Sequence, residues 1–456
     1  MTTLVLCGAT GDLAGRYLYP ALTRLADAGE LPDEFRMRGV SREELTDEEF
    51  KEHLRTALDE HAPQSPRAAR EELAARCEYI RADVTDTDGM KAATERAEGP
   101  CVIYLALPPS LYQPAVRSLA KAGPPTGSSV VFEKPFAEGQ ESARELNGML
   151  AECLAEERVF RVDHFLNKQT VQNILGLRFA NRLFEPVWNA GHIERVDIVW
   201  DEDLTLEGRA GYYDQTGALR DMVQNHLLQL LCLIAMDPPH SLHERELRDR
   251  KVQLLRAVRG PSAAEAAEGD GAVRARYTAG TVAGRKVPDY TDEPGVDPAR
   301  GTETYAELRL AVDNWRWAGV PFLLRTGKAL GEPRTAIDIR FKPVPHLAFG
   351  QSGGAVPNLL RLSLDPERID ATINLNGAGD PFELESAQLG LELAPQRLPA
   401  YARLLLDIFR GDPSLTIRGD EAEECWRVVD PVLAAWENGR APLPGYPAGS
   451  AGPSAA

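Results

Sequence analysis

The chain has 456 residues, of which 43% are hydrophobic and 26% are charged, and its net charge is −18. This length exceeds one ordinary hydrophobic core, so the composition predicts a globular protein of two domains. The negative charge argues against non-specific nucleic-acid binding, and an anionic substrate would need a local cluster of Lys and Arg.

A strand, a glycine turn and a helix are predicted at the start of the chain. Residues 3–7 (TLVLC) form an apolar run of strand length, Gly8 and Gly11 permit a tight turn, and a helix is expected to begin near Leu13. This order suits a pyrophosphate at the helix N-terminus. The loop is GxxGDL rather than GxGxxG, so a plain strand-to-helix connection explains it equally well.

The second and third predicted strands end at polar residues. The run 35–40 is followed by Arg42, and the third strand ends near Asp83. At the end of the second strand of a dinucleotide-binding sheet, an acid favours NAD, whereas an Arg accommodates the 2′-phosphate of NADP. Arg42 therefore indicates NADP, with a solvated surface Arg as the alternative, and Asp83 is placed to meet the adenine edge.

Two further apolar strands, at 101–110 and 130–136, continue the pattern. The second ends at Lys134, where the carboxyl end of a parallel strand commonly meets a ligand, and the bond to Pro135 is one that can be cis. The alternation of strands and helices predicts a parallel, helix-covered sheet over residues 1–160.

An acid, an imidazole and an ammonium follow within six residues, just before an amphipathic run. Asp163 is expected to end a strand, and Asn167 to cap a helix over 168–181. His164 and Lys168 would then lie at a helix N-terminus, which attracts anions. A strand-to-helix turn with solvated charges is the alternative interpretation.

From residue 161 onward the pattern changes to short strands, many of which alternate polar and apolar residues. The strand candidates are 192–200, 251–258, 303–312, 322–327, 336–341, 358–364 and 370–375. They predict a large antiparallel sheet with helices on one side, an α+β domain over residues 161–456. The residues after 441 are rich in Pro, Gly, Ala and Ser and are expected to be loosely structured.

A helix predicted at about 217–236 is apolar nearly all round and is therefore expected to be buried, yet it contains Asp221, Asn225 and His226. In an α-helix Asp221 and Asn225 share a face, and His226 lies about 140° from Asp221, so both faces could border one cleft. His226 is interpreted either as a hydrogen-bonded core residue or as a general base oriented by a carboxylate. Lys328 lies in a glycine turn after a strand candidate.

The six cysteines are scattered, with no CxxC or CxxH spacing, so the sequence predicts neither a zinc site nor a disulfide framework. The N-terminus has no basic segment before its first apolar run, and the longest apolar run, LLQLLCLIAM, is too short to span a bilayer. We expect a cytoplasmic protein with no membrane partner and no bound metal.

Together these motifs resemble the glucose-6-phosphate dehydrogenase family. The resemblance covers nearly the whole chain and is carried by GATGDLAGRYLYP, VFEKPF, RVDHFLNKQ, RDMVQNHL and WRWAGVPFLLRTGKAL. It implies a Rossmann-like NADP-binding domain over 1–160, followed by an α+β substrate-binding and oligomerisation domain over 161–456. It also implies oxidation of glucose 6-phosphate at C1 to a lactone by a homodimer or homotetramer, the first step of the oxidative pentose phosphate pathway.

The resemblance also implies roles for single residues. His226 is implied as the general base on the C1 hydroxyl, and Asp163 as the carboxylate that orients it. Residues implied to bind the sugar phosphate are Lys134, His164, Lys168, Glu202, Asp221 and Lys328, with His164 and Lys168 on the phosphate. Residues implied to bind NADP, with NAD as the alternative coenzyme, are Gly8, Thr10, Gly11, Asp12, Leu13, Arg42, Asp83, Val84 and Lys134.

The chain departs from the usual family pattern mainly around the sugar phosphate. Phe165 stands where Tyr is usual, Pro333 where a second basic residue is usual, and Tyr17 where Lys or Arg is usual. These departures motivate an alternative substrate, an amino or deoxy hexose phosphate. A non-catalytic NADP-binding paralogue is a third hypothesis, and retention of the catalytic set counts against it.

Overall fold

The computed structural model describes residues 2–95, 99–349, 355–379 and 383–453. The chain divides into two compact units. The first unit comprises Met1–Lys168, Pro239–Asp249 and Gln396–Glu423, and the second comprises Gln169–Pro238, Arg250–Pro395 and Glu424–Ala456.

The strands, in chain order, are β1 (Thr2–Cys7), β2 (Phe35–Ser41), β3 (Cys77–Arg81), β4 (Cys101–Leu105), β5 (Ser129–Glu133), β6 (Val159–Val162), β7 (Ile193–Asp201), β8 (Val258–Arg259), β9 (Ala272–Thr278), β10 (Gly280–Val282), β11 (Arg285–Val287), β12 (Tyr305–Val312), β13 (Phe322–Gly327), β14 (Arg334–Phe341), β15 (Leu359–Asp365), β16 (Glu367–Asn376), β17 (Leu384–Glu392) and β18 (Gly445–Pro447).

The α-helices are α1 (Tyr19–Asp27), α2 (Asp47–His61), α3 (Arg67–Ala75), α4 (Thr87–Thr94), α5 (Tyr112–Ala122), α6 (Gln140–Ala151), α7 (Gln169–Phe179), α8 (Ala210–Ala218), α9 (Leu228–Ala235), α10 (Glu244–Ala257), α11 (Ala263–Glu268), α12 (Ala400–Arg410) and α13 (Gly419–Glu437). Two segments are π-helical: Ala14–Leu18 leads into α1, and Leu219–Leu227 joins α8 to α9.

The first unit contains a six-stranded sheet in the order β3-β2-β1-β4-β5-β6, and every pairing is parallel. Helices cover both faces, because apolar residues alternate to the two sides of each strand. Leu22 of α1 and Leu405 of α12 belong to one buried cluster, and Leu119 of α5 to the other. The predicted parallel, Rossmann-like sheet is confirmed, and its strand order reverses between β1 and β4, where such sheets bind ligands.

The second unit contains a ten-stranded sheet in the order β17-β16-β15-β14-β7-β13-β12-β9-β18, with β8 beside β12. Most pairings are antiparallel, which confirms the predicted α+β class. Two pairings are parallel, β7 with β13 and β9 with β18. The pairing of β7 with β13 positions two residues of the candidate site.

Two local predictions in the second part of the chain are wrong. Of the strand predicted at 251–258, residues 251–257 are the C-terminal part of α10 and only Val258 belongs to a strand, β8, because Leu247, Leu254 and Leu255 are buried at helical rather than alternating spacing. The described part of the tail, residues 442–453, is not loosely structured: it contains β18, which pairs with β9, and Tyr446 is only 1% exposed.

Across the ranges that the structure describes, no helix combines the length and the apolar character needed to cross a membrane.

Candidate active site

The glycine turn after β1 presents main chain at the carboxyl ends of the parallel strands. Gly8 has a φ of +87°, and a Cβ atom on it would lie 2.2 Å from the Ala106 carbonyl oxygen. A side chain at this position would therefore clash with backbone. The Gly11 N–H donates to the Gly8 carbonyl at 3.0 Å, and the helical segment that follows begins beside Leu13. The turn thus fits a pyrophosphate at a helix N-terminus. Predicted coenzyme residues in this turn are Gly8, Thr10, Gly11, Asp12 and Leu13.

Arg42 and Asp83 lie together at the ends of neighbouring strands. The Arg42 guanidinium is 4.0 Å from the Asp83 carboxylate, and the Arg42 side chain is 77% exposed. Hydrogen bonds from Thr85 lower the pKa of Asp83, and the positive charge of Arg42 lowers it further. Val84, the next residue after Asp83, is buried. The predicted adenosine side therefore has an exposed cation next to an ionised carboxylate.

The end of β5 has a buried carboxyl beside a lysine. Glu133 accepts a hydrogen bond from the Tyr104 hydroxyl at 2.6 Å, and the Lys134–Pro135 bond is cis. Burial raises the pKa of Glu133 to about 7, although its hydrogen bonds from Tyr104 and Tyr401 and the charge of Lys134 act in the opposite direction. Lys134 thus lies beside a carboxyl group that titrates near neutral pH.

The segment after β6 combines an acid with an aromatic cluster. Asp163 is buried, caps the 3₁₀ turn His164–Asn167, and accepts from the Phe165 N–H at 3.0 Å. The His164 ring stacks on Tyr401 of α12, with centroids 4.8 Å apart, and the Lys168 ammonium lies 5.1 Å from the centre of the Phe165 ring. The His164 ring also lies 4.5 Å from the Phe165 ring, so an imidazole and an ammonium both lie near one aromatic side chain.

The predicted cap by Asn167 is wrong. The amide nitrogen of Asn167 donates to the Asp407 carboxylate at 3.4 Å, and the helix begins at Gln169, one residue later than expected. The buried Asn167 side chain thus shares the Asp407 carboxylate with Arg403, which donates to it at 3.1 Å. His164 and Lys168 consequently precede the helix rather than belong to its first turn.

The helix predicted at 217–236 is present, but its central segment is π-helical. His226 is 1% exposed and lies in the π-helical residues Leu219–Leu227. The i→i+5 hydrogen bonds of a π-helix bring residues five apart, such as Asp221 and His226, closer to one face than an α-helix does. The predicted separation of about 140° is therefore wrong, because it assumed α-helical geometry.

A buried glutamate explains how the π-helical segment starts. The Glu303 carboxylate accepts from the Leu219 N–H at 2.9 Å, and burial raises its pKa. Gly217 has a φ of +73°, and a Cβ atom on it would lie 2.5 Å from Glu303 Oε1. The glycine therefore makes room for the carboxylate at the start of the helix that carries His226.

Asp221 and Asn225, the two polar residues near His226 in this helix, have different hydrogen-bond partners. The Asp221 carboxylate accepts from the Tyr212 hydroxyl at 3.3 Å. The Asn225 amide donates to the Arg220 carbonyl at 3.0 Å and accepts from the His226 N–H at 2.6 Å. Both ends of the Asn225 amide therefore bond to its own helix.

Glu202 and Lys328 are brought together by the parallel pairing of β7 with β13. Asp201 and Gly327 are partners in this pairing, so the next residue of each strand emerges at the same edge. The Lys328 ammonium donates to Glu202 Oε2 at 2.6 Å and lies 5.1 Å from the centre of the Tyr213 ring. The two predicted sugar-binding residues are thus in direct contact.

The sequence did not identify Tyr401 or Tyr213 as site residues. Tyr401 begins an ordinary amphipathic helix, and its position against His164 depends on the packing of α12 in the first unit. Tyr213 is buried in the second unit, against Lys328. The local sequence does not mark either residue, because each joins a site only by contacting a residue that is distant in sequence.

Comparisons with known proteins cover the whole chain. Residues 5–173 match the family model of the glucose-6-phosphate dehydrogenase NAD binding domain, and residues 175–456 match that of the C-terminal domain. The chain is 40% identical to glucose-6-phosphate 1-dehydrogenase of Treponema pallidum, covering 99% of this chain and 92% of the relative. It is 41% identical to the protein of the same name from Gluconobacter oxydans, covering 99% and 94%.

Two solved structures agree with this result. One is glucose-6-phosphate dehydrogenase in complex with its substrate glucose-6-phosphate, 30% identical with a TM-score of 0.89. The other is glucose-6-phosphate 1-dehydrogenase from Mycobacterium avium, 35% identical with a TM-score of 0.87. Each alignment covers 99% of this chain and 95% of the other.

Proposed function

The chain belongs to the glucose-6-phosphate dehydrogenase family, and on that premise we propose how its own residues carry out the reaction. The enzyme oxidises glucose 6-phosphate at C1 to the lactone, and NADP accepts the hydride. The observation that carries this function is the full-length match to curated relatives of that name. The alternative of a modified hexose phosphate is not favoured by these matches.

The first unit is proposed to hold the coenzyme. Gly8 and Gly11 leave room for the pyrophosphate, and Arg42 and Asp83 lie where the adenosine half would bind. Support comes from the close approach of backbone at Gly8, which a Cβ atom would block. When bound, the coenzyme supplies the nicotinamide that takes the hydride from C1.

Residues of each unit are proposed to bind the sugar phosphate. His164 and Lys168 would bind the 6-phosphate, because an ammonium and an imidazole N–H are both donors to a dianion. Glu202 and Asp221 would accept hydrogen bonds from sugar hydroxyls, and Lys328 would fix the Glu202 carboxylate through their 2.6 Å contact. Lys134 is proposed to contact both sugar and coenzyme.

The proton is proposed to leave through His226. As C1 loses its hydride, the C1 hydroxyl proton passes to the His226 imidazole, and the carbonyl of the lactone forms. Asp163 is proposed as the carboxylate that orients the imidazole and stabilises its positive charge. The burial of both residues supports these roles, because a buried carboxylate interacts more strongly with a cation than an exposed one.

The first test is turnover of glucose 6-phosphate by the purified enzyme, followed by absorbance of the reduced coenzyme with NADP and with NAD. Glucosamine 6-phosphate and 2-deoxyglucose 6-phosphate serve as competing substrates. A higher kcat/KM with glucose 6-phosphate than with either analogue supports the function. A higher kcat/KM with either analogue than with glucose 6-phosphate would contradict the function.

We also propose a homo-oligomer built across the large sheet. Leu375, Leu389 and Leu391 are each more than half exposed, and the pairing of β16 with β17 places them on one face. An exposed apolar face of this kind is most simply covered by a second copy of the chain. Light scattering tests the proposal by measuring the mass of the native protein and of Leu389→Glu. A monomer mass for both proteins would contradict the homo-oligomer.

A cytoplasmic location is proposed as well. All six cysteines lie within the described ranges, and each is a free thiol. Thiols in this state are typical of proteins in a reducing compartment. Localisation of a tagged chain in its native cell tests the proposal, and a secreted product would contradict it.

A further inference from the structure

A carboxylate lies against the coenzyme turn, next to the arginine that indicates NADP. The Thr10 hydroxyl, in the turn between Gly8 and Gly11, donates to Glu43 Oε1 at 3.1 Å. Glu43 follows Arg42 directly, so two side chains of opposite charge emerge together at the end of β2. The sequence pattern drew attention only to the arginine.

Glu43 is held in this place by its main chain. Its N–H donates to the Ser41 hydroxyl at 3.2 Å, and its carbonyl accepts from the Tyr79 hydroxyl at 2.7 Å. The Ser41 and Tyr79 hydroxyls are themselves 2.7 Å apart. This closed set of hydrogen bonds fixes the backbone from which the carboxylate reaches Thr10.

The two charges have opposite effects on the two coenzymes. A carboxylate at the end of the second strand accepts hydrogen bonds from the free ribose hydroxyls of NAD, and it repels a 2′-phosphate. An arginine at the same place pairs with the 2′-phosphate of NADP. Glu43 also accepts the hydrogen bond of the Thr10 hydroxyl, a donor that would otherwise be available to an anion.

We propose that Glu43 is a specificity-determining residue that weakens the preference for NADP and allows NAD to bind. The proposal rests on the coenzyme role given above to the first unit. It assigns the attraction for the 2′-phosphate to Arg42 and the attraction for the 2′-hydroxyl to Glu43. The ratio of the two affinities is then set by a pair of adjacent residues.

The test compares the native enzyme with Glu43→Gln, which keeps the size of the side chain and removes its charge. Binding of 2′,5′-ADP and of ADP is measured by calorimetry on the full chain without sugar. We expect 2′,5′-ADP to bind about fivefold to tenfold more tightly to the variant, because a like charge has been removed, while ADP binds no more tightly.

Glu44→Gln is the matched control. Glu44 is the next residue, its carboxylate pairs with Arg81 at 3.1 Å, and its substitution changes the net charge by the same amount. An affinity ratio that changes only in Glu43→Gln supports the proposal. An unchanged ratio in Glu43→Gln, or an equal change in Glu44→Gln, would overturn it.

The kinetic form of the test uses kcat/KM for NADP and for NAD with glucose 6-phosphate. Glu43→Gln is expected to raise the NADP-to-NAD ratio by the same factor as the ratio of nucleotide affinities. Failure of the proposed function would appear differently, as absence of turnover in the native enzyme with both coenzymes. The nucleotide affinities decide the role of Glu43 in either case.

Discussion

Tyr401 stacks on His164, with ring centroids 4.8 Å apart and ring planes 19° from parallel. Tyr401 also hydrogen-bonds to Glu133 and stacks on Tyr17 with centroids 5.1 Å apart. The imidazole proposed to bind phosphate is therefore supported on one face by an aromatic stack. This stack includes Tyr17, which replaces the basic residue usual in the family.

We expect Tyr401→Ala to raise KM for glucose 6-phosphate about threefold to tenfold, because loss of the stack frees the His164 ring. Tyr401→Phe keeps the ring and is expected to have a smaller effect. Steady-state kinetics at saturating NADP measures both. Equal increases in the two variants would show that the hydroxyl, rather than the stack, is the important feature.

His226→Asn is expected to lower kcat by about 10²–10⁴-fold with little change in KM, because a general base acts in the transition state. Calorimetry with NADP should give the native dissociation constant, which serves as the control for folding. A variant with nearly native kcat would remove His226 from the role of base.

Lys168→Ala is expected to raise KM for glucose 6-phosphate about tenfold to a hundredfold, since a charge-assisted hydrogen bond to the phosphate is lost. The same variant should leave kcat/KM for free glucose nearly unchanged, because that substrate has no phosphate. Lys168→Arg keeps the charge and should recover part of the loss. A similar loss with both sugars would show that Lys168 does not bind the phosphate.

The contact between Lys328 and Glu202 predicts non-additive effects on sugar binding. Glu202→Gln and Lys328→Met should each raise KM, and the double variant should be less impaired than the sum, with a coupling energy of about 1 kcal/mol. The exposed pair Arg259–Asp313 gives a matched control that should not change KM. Additive effects in the first cycle would show that the two residues act independently.

The raised pKa of Glu133 predicts a specific pH dependence of stability. The folded protein binds this proton more tightly than the unfolded chain, so its contribution is fully present below about pH 4.5 and is lost as the pH rises to about 7. Glu133→Gln does not titrate, so its stability lacks this pH dependence. The Tm of the variant minus the Tm of the native enzyme should therefore increase as the pH rises from about 4.5 to about 7. The change corresponds to about 3 kcal/mol.

Thermal unfolding of both proteins from pH 5 to pH 8 measures this difference. Glu157→Gln, at a surface position, serves as the control and should follow the native enzyme at every pH. A constant Tm difference between Glu133→Gln and the native enzyme would show that Glu133 does not titrate in this range.

The sequence by itself determined the family, the reaction, the parallel sheet of the first unit and the α+β class of the second. These features depend on local signals. The glycine turn after β1 needs Gly8 because of its positive φ and the nearby Ala106 carbonyl, and both requirements are visible as a glycine between a strand and a helix. The motifs around Asp163 and His226 identify the family, although the individual roles of these residues stay predictions.

Only the tertiary structure decided which residues meet. The helix segment that carries His226 begins against Glu303, which lies far along the chain and accepts from the Leu219 N–H. The contact of Lys328 with Glu202 depends on one parallel pairing within a mostly antiparallel sheet. The strand predicted at 251–258 is helical because burial favoured the helical spacing of its leucines. In each case the reason is the same: hydrogen-bond partners and buried faces are chosen by residues distant in sequence, which a local pattern does not contain.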